Sequence, residues 1–209
     1  MASKKKLSLK KKVLIGAATG VAALGFWASQ AFYTVKEVVD GDTFVTVENQ
    51  YVRFDKVDAP EIGLCLGKES KDELEKLVLN KKVFIKVRYV EKDWGRLVGS
   101  VYGMQGNIEE IMLSKGLVTL RNGSEYSGVV EKAKAEKVGV YSAKCTQTIN
   151  IEDPKCGIKG NIRARNKYFR FPGCKQYDTT LVQLHFGDKW FCSESEAKKA
   201  GFIKGSDCR

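Results

Sequence analysis

The chain is poor in histidine: His185 stands alone among 209 residues. With no second imidazole to join it, a histidine-built zinc centre is argued against, and His185 is expected to pack or to lie on the surface. The cysteines also lack the tight Cys-x-x-Cys pairs of a zinc ribbon, and no internal repeat is visible, which argues against a solenoid. A third scarcity is charge of one sign in the middle of the chain. The formal net charge is +11, yet residues 33–143 carry 17 basic and 18 acidic side chains. The high pI is therefore no nucleic-acid footprint of that segment, which must bind through individually placed charges. The excess lies at the ends, with six lysines and no acid in residues 1–12 and 13 basic against 7 acidic residues in 144–209. A hydrophobic content of 43% suffices for one ordinary domain and a small one.

After the lysine triplets, Val13 to Phe32 runs for twenty residues without a charge. Two readings compete. Length and the lysine-rich flank fit an uncleaved membrane anchor through residues 13–32, whereas Ser29-Gln30-Ala31 offers the small residues of a signal-peptide cleavage site. The first strand starts so soon afterwards that no linker would hold a domain off a bilayer. Either reading places the remaining chain outside the cytoplasm, secreted or on the outer face of the membrane.

From Tyr33 the pattern is that of strands. Tyr33–Val39, Phe44–Val47 and Tyr51–Phe54 predict a three-stranded meander, which the chain leaves at Asp58-Ala59-Pro60-Glu61, where proline removes a ladder donor. Ser70 with Glu73 fits a capping box, and Leu74, Leu77 and Val78 supply an apolar stripe for a helix of roughly three turns. Val83–Val87 and Leu97–Tyr102 predict two more strands. Ile108, Ile111 and Met112 mark a second helix ending at Gly116, and residues 126–137 a third. The expected fold is α+β, mainly β: a five-stranded barrel of oligonucleotide-binding type with three helices over residues 33–143, and a small module over 150–209.

Chemistry concentrates in two dozen residues. Asp42 at the end of the first strand and Asp58 at the end of the third can lie side by side, giving a hard divalent cation such as Ca2+ two carboxylates to add to a backbone carbonyl and waters. Glu61 could act on a water as general base. Arg53 and Arg96 offer planar forks for phosphate oxygens and for the charge that develops on them. Each motif alone has a plainer reading, a turn or a solvated strand face. Together they outline a site for phosphodiester hydrolysis.

In chain order, Val39-Asp40-Gly41-Asp42-Thr43, Arg53, Val57-Asp58-Ala59-Pro60-Glu61, Trp94-Gly95-Arg96 and Gly139-Val140-Tyr141-Ser142 resemble the motif set of the staphylococcal nuclease (thermonuclease) family. The resemblance covers about residues 33–143 and implies a calcium-dependent nuclease acting on DNA and RNA. It implies Asp42, Asp58 and the carbonyl of Ala59 as calcium ligands, Asp40 behind them, Arg53 and Arg96 on phosphate, and Glu61 in the base role. The chain departs from the archetype at Ala59 (threonine), Trp94 (tyrosine) and Asp93 (lysine). The loop from Glu61 to Gly67 is shorter, as is the tract from Thr119 to Ser127, leaving Tyr126 as the stand-in for a nucleotide-binding tyrosine. Trp94 and Tyr126 are thus candidates for contact with the nucleic acid. The competing reading is a membrane-tethered nucleic-acid receptor without turnover, for instance in DNA uptake. The retained carboxylates favour catalysis, because an anion-binding face has no use for them unless a cation offsets them. No obligate protein partner is inferred.

The tail, with Cys156, Cys174, Cys192 and Cys208, resembles a small module that follows some exported nuclease domains. On fewer residues it is similar to the Cys-rich metal-binding module of an alkylation-repair protein. A short helix capped by Ser193 and Glu196 and ended by Gly201 is predicted. So small a unit needs staples, and disulfides are preferred over zinc. Of three possible connectivities, Cys156–Cys192 with Cys174–Cys208 is preferred here. Cys65 and Cys145 either bridge, pinning the loop after Glu61, or remain free thiols. Basic and aromatic residues interleave from Arg163 through Arg165 and Lys167 to Phe171, as in a surface that grips a nucleic-acid backbone, although a solvated face on a structural cap reads the same way.

Overall fold

The computed structural model describes residues 32–208. The expected signal or anchor therefore falls outside the described residues, save Phe32. Among the described residues no helix is long and apolar enough to cross a membrane.

The meander forms as β1 (Phe32–Val38), β2 (Thr43–Thr46) and β3 (Tyr51–Phe54), joined antiparallel. A two-residue β4 (Val57–Asp58) follows, and the long hairpin β5 (Lys82–Glu91) and β6 (Arg96–Gly103) completes the sheet. Strands run in the order β3-β2-β1-β5-β6, and β3 also pairs in parallel with β6, so five strands close into a barrel. Closure removes the free edges that an open sheet of this kind would expose. The short β7 (Gly106–Asn107) continues from β6, and β8 (Thr119–Leu120) pairs with β4. Inside, Val35, Phe44, Val52, Phe54, Ile85 and Val101 are buried to within a few per cent. Each such side chain contributes about 1.5–3 kcal/mol by leaving water.

Helix α1 (Gly67–Val78) begins four residues earlier than the capping-box pattern predicts. Ser70 is not the cap but a fully buried residue of the first turn, and Leu66, at φ 66°, starts the helix without a side-chain cap. Gly67 makes the early start possible, since a Cβ there would sit 2.1 Å from the Glu61 carbonyl oxygen. Glu73, freed from capping, pairs with Lys115 at 2.5 Å. Helices α2 (Ile108–Ser114) and α3 (Ser127–Ala135) lie where predicted, and Asn107 caps α2 by accepting the Glu110 N–H at 3.1 Å.

Beyond Cys145 the pattern predicts one helix, and the structure adds a sheet. Strands β9 (Thr146–Gln147) and β12 (Val182–Gln183) pair with each other. Strands β10 (Ile158–Arg163), β11 (Asn166–Arg170), β13 (Lys189–Phe191) and β14 (Ile203–Lys204) form a sheet in the order β13-β10-β11-β14. The helix α4 (Glu194–Lys199) carries the predicted box: Ser193 accepts the Glu196 N–H at 3.2 Å, and Glu196 accepts the Cys192 N–H at 2.9 Å. Phe169, Phe191, Ala197 and Phe202 form a small second core. Disulfides join Cys156–Cys192, Cys174–Cys208 and Cys65–Cys145. With the sulfurs bonded to one another, the zinc alternative for this module falls away, as does the free-thiol alternative for Cys65 and Cys145. His185 packs: it is 2% exposed, its ring lies 4.3 Å from that of Phe186, and burial pushes its pKa down.

Candidate active site

The turn between β1 and β2 is shaped by its own side chains. Asp40 accepts the Asp42 N–H at 3.0 Å, a local bond that stabilises such turns. Gly41 is required by close approach: a Cβ there would meet Ser70 Oγ at 1.9 Å and the Ala59 Cβ at 2.8 Å. The turn is thereby pressed onto both α1 and the loop after β4, which brings Asp42 to Ala59.

Register does the rest. Thr43 on β2 lies opposite Arg53 on β3, so the guanidinium reaches Asp42 next door. Arg53 Nη1 donates to Asp42 Oδ1 at 2.7 Å and Nη2 donates to Asp58 Oδ1 at 2.5 Å. Asp58 is positioned by β4, whose partner β8 places Thr119 to donate to the Asp58 carbonyl at 3.2 Å. The Ala59 N–H donates to Asp42 Oδ2 at 2.8 Å, and the Thr43 hydroxyl donates to Oδ1 at 2.7 Å. One arginine fork thus spans both expected metal-ligating carboxylates, with Ala59 in the same cluster.

The cluster is short of positive charge. Asp42 is 2% exposed, and burial first and the Asp40 charge second push its pKa up to about 6, outweighing Arg53, the Ala59 N–H and Thr43. Burial opposes the charge on Arg53, but Asp42 and Asp58 overcome it and raise its pKa. Sequence reasoning missed Arg121, which follows β8 directly. Its guanidinium lies 3.6 Å from Asp58 Oδ1 while donating to the Asp55 carbonyl at 2.7 Å. The signal available was a basic residue ending the apolar run that pairs with the Asp58 strand.

Arg96 lines a cleft of about 430 Å³ with Val39, Asp40, Thr43, Tyr51 and Trp94, beside the turn between β1 and β2. Its Nε and Nη2 are held by Glu91 at 2.9 and 2.8 Å. Trp94 is 80% exposed at the mouth of this cleft. Glu61 is exposed, and among the described residues its carboxylate makes no hydrogen bond or ion pair, so only its place in the chain ties it to Asp58. Tyr126 goes elsewhere. It is a core residue whose hydroxyl accepts from Asn107 at 2.7 Å, and burial pushes its pKa up to about 12. The short tract before α3 turns its ring inward, which removes it as a stacking surface. Arg163, Arg165 and Lys167 lie outside the cluster, on the β10–β11 hairpin of the C-terminal module.

The donor set suits a hard cation. It is all oxygen, with more carboxylate than guanidinium charge, and Asp58 Oδ2 has no hydrogen-bond partner among the described residues. A divalent ion would offset the burial, and then the Asp40 charge, that raise the Asp42 pKa.

The model of the family described as staphylococcal nuclease homologue matches residues 51–143. An uncharacterized endonuclease of Escherichia coli O157:H7 is 30% identical over 117 residues, which are 52% of this chain and 75% of that protein. The staphylococcal-like nuclease CAN1 of Arabidopsis thaliana is 33% identical over 96 residues, 44% of this chain and 29% of that protein. A 38.1 kDa protein of Capnoides sempervirens, itself uncharacterized, is 36% identical over 96 residues, 44% of this chain and 28% of that protein. The chain thus spans less than a third of these plant relatives' length.

Proposed function

Because this chain belongs to the staphylococcal nuclease family, we propose that it hydrolyses phosphodiester bonds of DNA or RNA, with calcium as its metal and outside the cytoplasm. The observation that carries the reading is the Arg53 fork between Asp42 and Asp58. A purely anion-binding face would gain nothing from burying a carboxylate whose pKa is thereby pushed up to about 6.

Asp42, Asp58 and the Ala59 carbonyl are the residues that would hold calcium, which supplies Lewis-acid polarisation of a phosphoryl oxygen and acidification of water. Arg53 presents a fork to phosphate oxygens and orients both carboxylates. Arg96 can exchange Glu91 for the phosphate, adding charge where negative charge builds up in the transition state. Glu61, exposed and without an ion-pair partner among the described residues, is free to orient a water and take its proton. Trp94 offers an indole face for a base at the cleft mouth. Export is supported by the lysine-led uncharged segment at the start of the sequence and by the three disulfides.

The test is cleavage of single-stranded DNA and RNA with calcium and with chelator. Glu61→Ala and Arg96→Ala are each expected to lower kcat by roughly 10²–10³. Undiminished cleavage in chelator would defeat the metal assignment, and binding without turnover would favour the receptor reading. Recovery of the protein from the cytosol would defeat export.

A further inference from the structure

The barrel segment is nearly neutral and its site is rich in carboxylates, whereas the C-terminal residues 144–209 carry 13 basic against 7 acidic side chains. Among the described residues, the long-range attraction that a polyphosphate substrate needs therefore comes largely from the module. How the module is fixed to the barrel decides whether that attraction reaches the site.

It is fixed at the catalytic loop. Cys65, four residues after Glu61, is bonded to Cys145, and the Cys145 carbonyl accepts the Leu184 N–H at 2.8 Å. Leu64 and Ile162 both pack against Gly187, where a Cβ would stand 3.9 Å from the Leu64 Cδ1 and 3.4 Å from the Ile162 Cδ1. Ile162 is the penultimate residue of β10. The chain therefore passes from a contact beside the Glu61 loop straight into Arg163 and the hairpin tip.

That tip is built to project charge. Ala164 and Arg165 form its two-residue turn at φ 47° and 72°, a left-handed pair for which glycine and asparagine are the usual choices. Arg163 is steadied by its own neighbours, donating to the Ile162 carbonyl at 2.7 Å and lying 3.6 Å from the buried Asp188. Arg165 and Lys167 are exposed and have no ion-pair partner among the described residues, the Lys167 ammonium standing 5.7 Å from the centre of the Phe202 ring. By contrast Lys159, on the same sheet, is withdrawn from solvent and spent on the Tyr177 and Thr180 carbonyls.

We propose that the β10–β11 hairpin extends the substrate track of the active site, with Arg163, Arg165 and Lys167 holding phosphates of a single-stranded nucleic acid on the Glu61 side of the cleft. This rests on the nuclease reading for what is held, and on the Leu64–Gly187–Ile162 contact for where. Trp94 and Arg96 would mark the opposite, cleft-side end of the same track.

The experiment is fluorescence anisotropy of a labelled 16-nucleotide DNA strand with the full chain in chelator, between 50 and 200 mM NaCl. Arg165→Gln/Lys167→Gln removes two charges that have no ion-pair partner among the described residues and leaves the Arg163–Asp188 pair alone. It should lower the slope of log affinity against log salt by about 1.4, so that the gain on going from 200 to 50 mM shrinks about sevenfold. Lys198→Gln/Lys199→Gln, on α4, supplies the same charge change away from the hairpin and should leave the slope nearer to wild type. An unchanged slope in the hairpin variant, or an equal fall in both variants, overturns the proposal. So does loss of binding to phosphatidylglycerol vesicles with unaltered DNA binding, which would make the hairpin a membrane contact. Because the slope is read in chelator, failure of the hydrolysis assay would remove the proposed reaction without bearing on the hairpin.

Discussion

Asp42 is held in a place that disfavours its charge. Its pKa is pushed up to about 6 from 3.8, by burial and then by Asp40. A carboxyl whose folded-state pKa is raised binds protons more tightly in the native state. It contributes stability that is fully present below about pH 4 and lost as pH rises through about 6. The shift corresponds to something on the order of 2–3 kcal/mol. Metal-free protein should accordingly be less stable at pH 7.5 than this one group would allow if it were neutral. Asp42→Asn is expected to raise the Tm by several degrees at pH 7.5 in chelator, with the gain vanishing near pH 4, while abolishing any stabilisation by calcium. Thermal melts of both proteins across that range decide it, and a variant that melts lower at pH 7.5 sinks the electrostatic account. At this scale the sequence was most informative where a side chain acts through type and order. Asp42, Arg53 and Asp58 come together, although Asp42 lies in the turn before β2 and Asp58 on β4 rather than at the ends of the first and third strands. Tyr126 and Arg121 were not legible, because which way a side chain turns after a two-residue strand depends on packing against α2 and α3.

Elements were legible to the extent that their own periodicity set them. The five barrel strands follow from alternation, and α2 and α3 from apolar spacing and caps. The start of α1 did not, because it is decided by a contact between distant residues rather than by a capping pattern. Gly41, Ala59 and Ser70 meet there, and Ser70 Oγ is buried without a hydrogen-bond partner. Gly41→Ala should therefore destabilise the protein by about 1–3 kcal/mol and lower activity through displacement of Asp42. Adding Ser70→Gly removes the nearest clash and the unpaired hydroxyl together, and should restore part of the loss. The Ala59 contact at 2.8 Å remains, so recovery should be incomplete. Denaturant unfolding of the single and double variants measures it, and a double variant no more stable than Gly41→Ala would show that the strain lies elsewhere. The sheet of the C-terminal module escaped prediction for a related reason. Its strands are short, and its inward residues Phe169, Phe191 and Phe202 pair across long sequence separations.

For the molecule as a whole, the bond that matters most is Cys65–Cys145, which spans 80 residues and joins the loop after Glu61 to the start of the module. Closing so long a loop in the unfolded chain is worth roughly 2–4 kcal/mol. Its second effect is local: between Glu61 and Gly67 the loop has backbone bonds from Leu64 to the Glu61 carbonyl and from Gly67 to the Leu64 carbonyl, and the disulfide falls between them. Removing it leaves the Asp42–Arg53–Asp58 cluster on its strands but loosens the residue proposed to handle the water. Cys65→Ala/Cys145→Ala should then lower the Tm by about 5–10 °C and reduce kcat several-fold, while calcium affinity by titration stays near wild type. The same double variant of an inactive Glu61→Ala protein should show the loss of Tm and no further loss of residual activity. Equal falls in kcat with and without Glu61 would mean that the disulfide serves stability alone, and that the module does not position the loop.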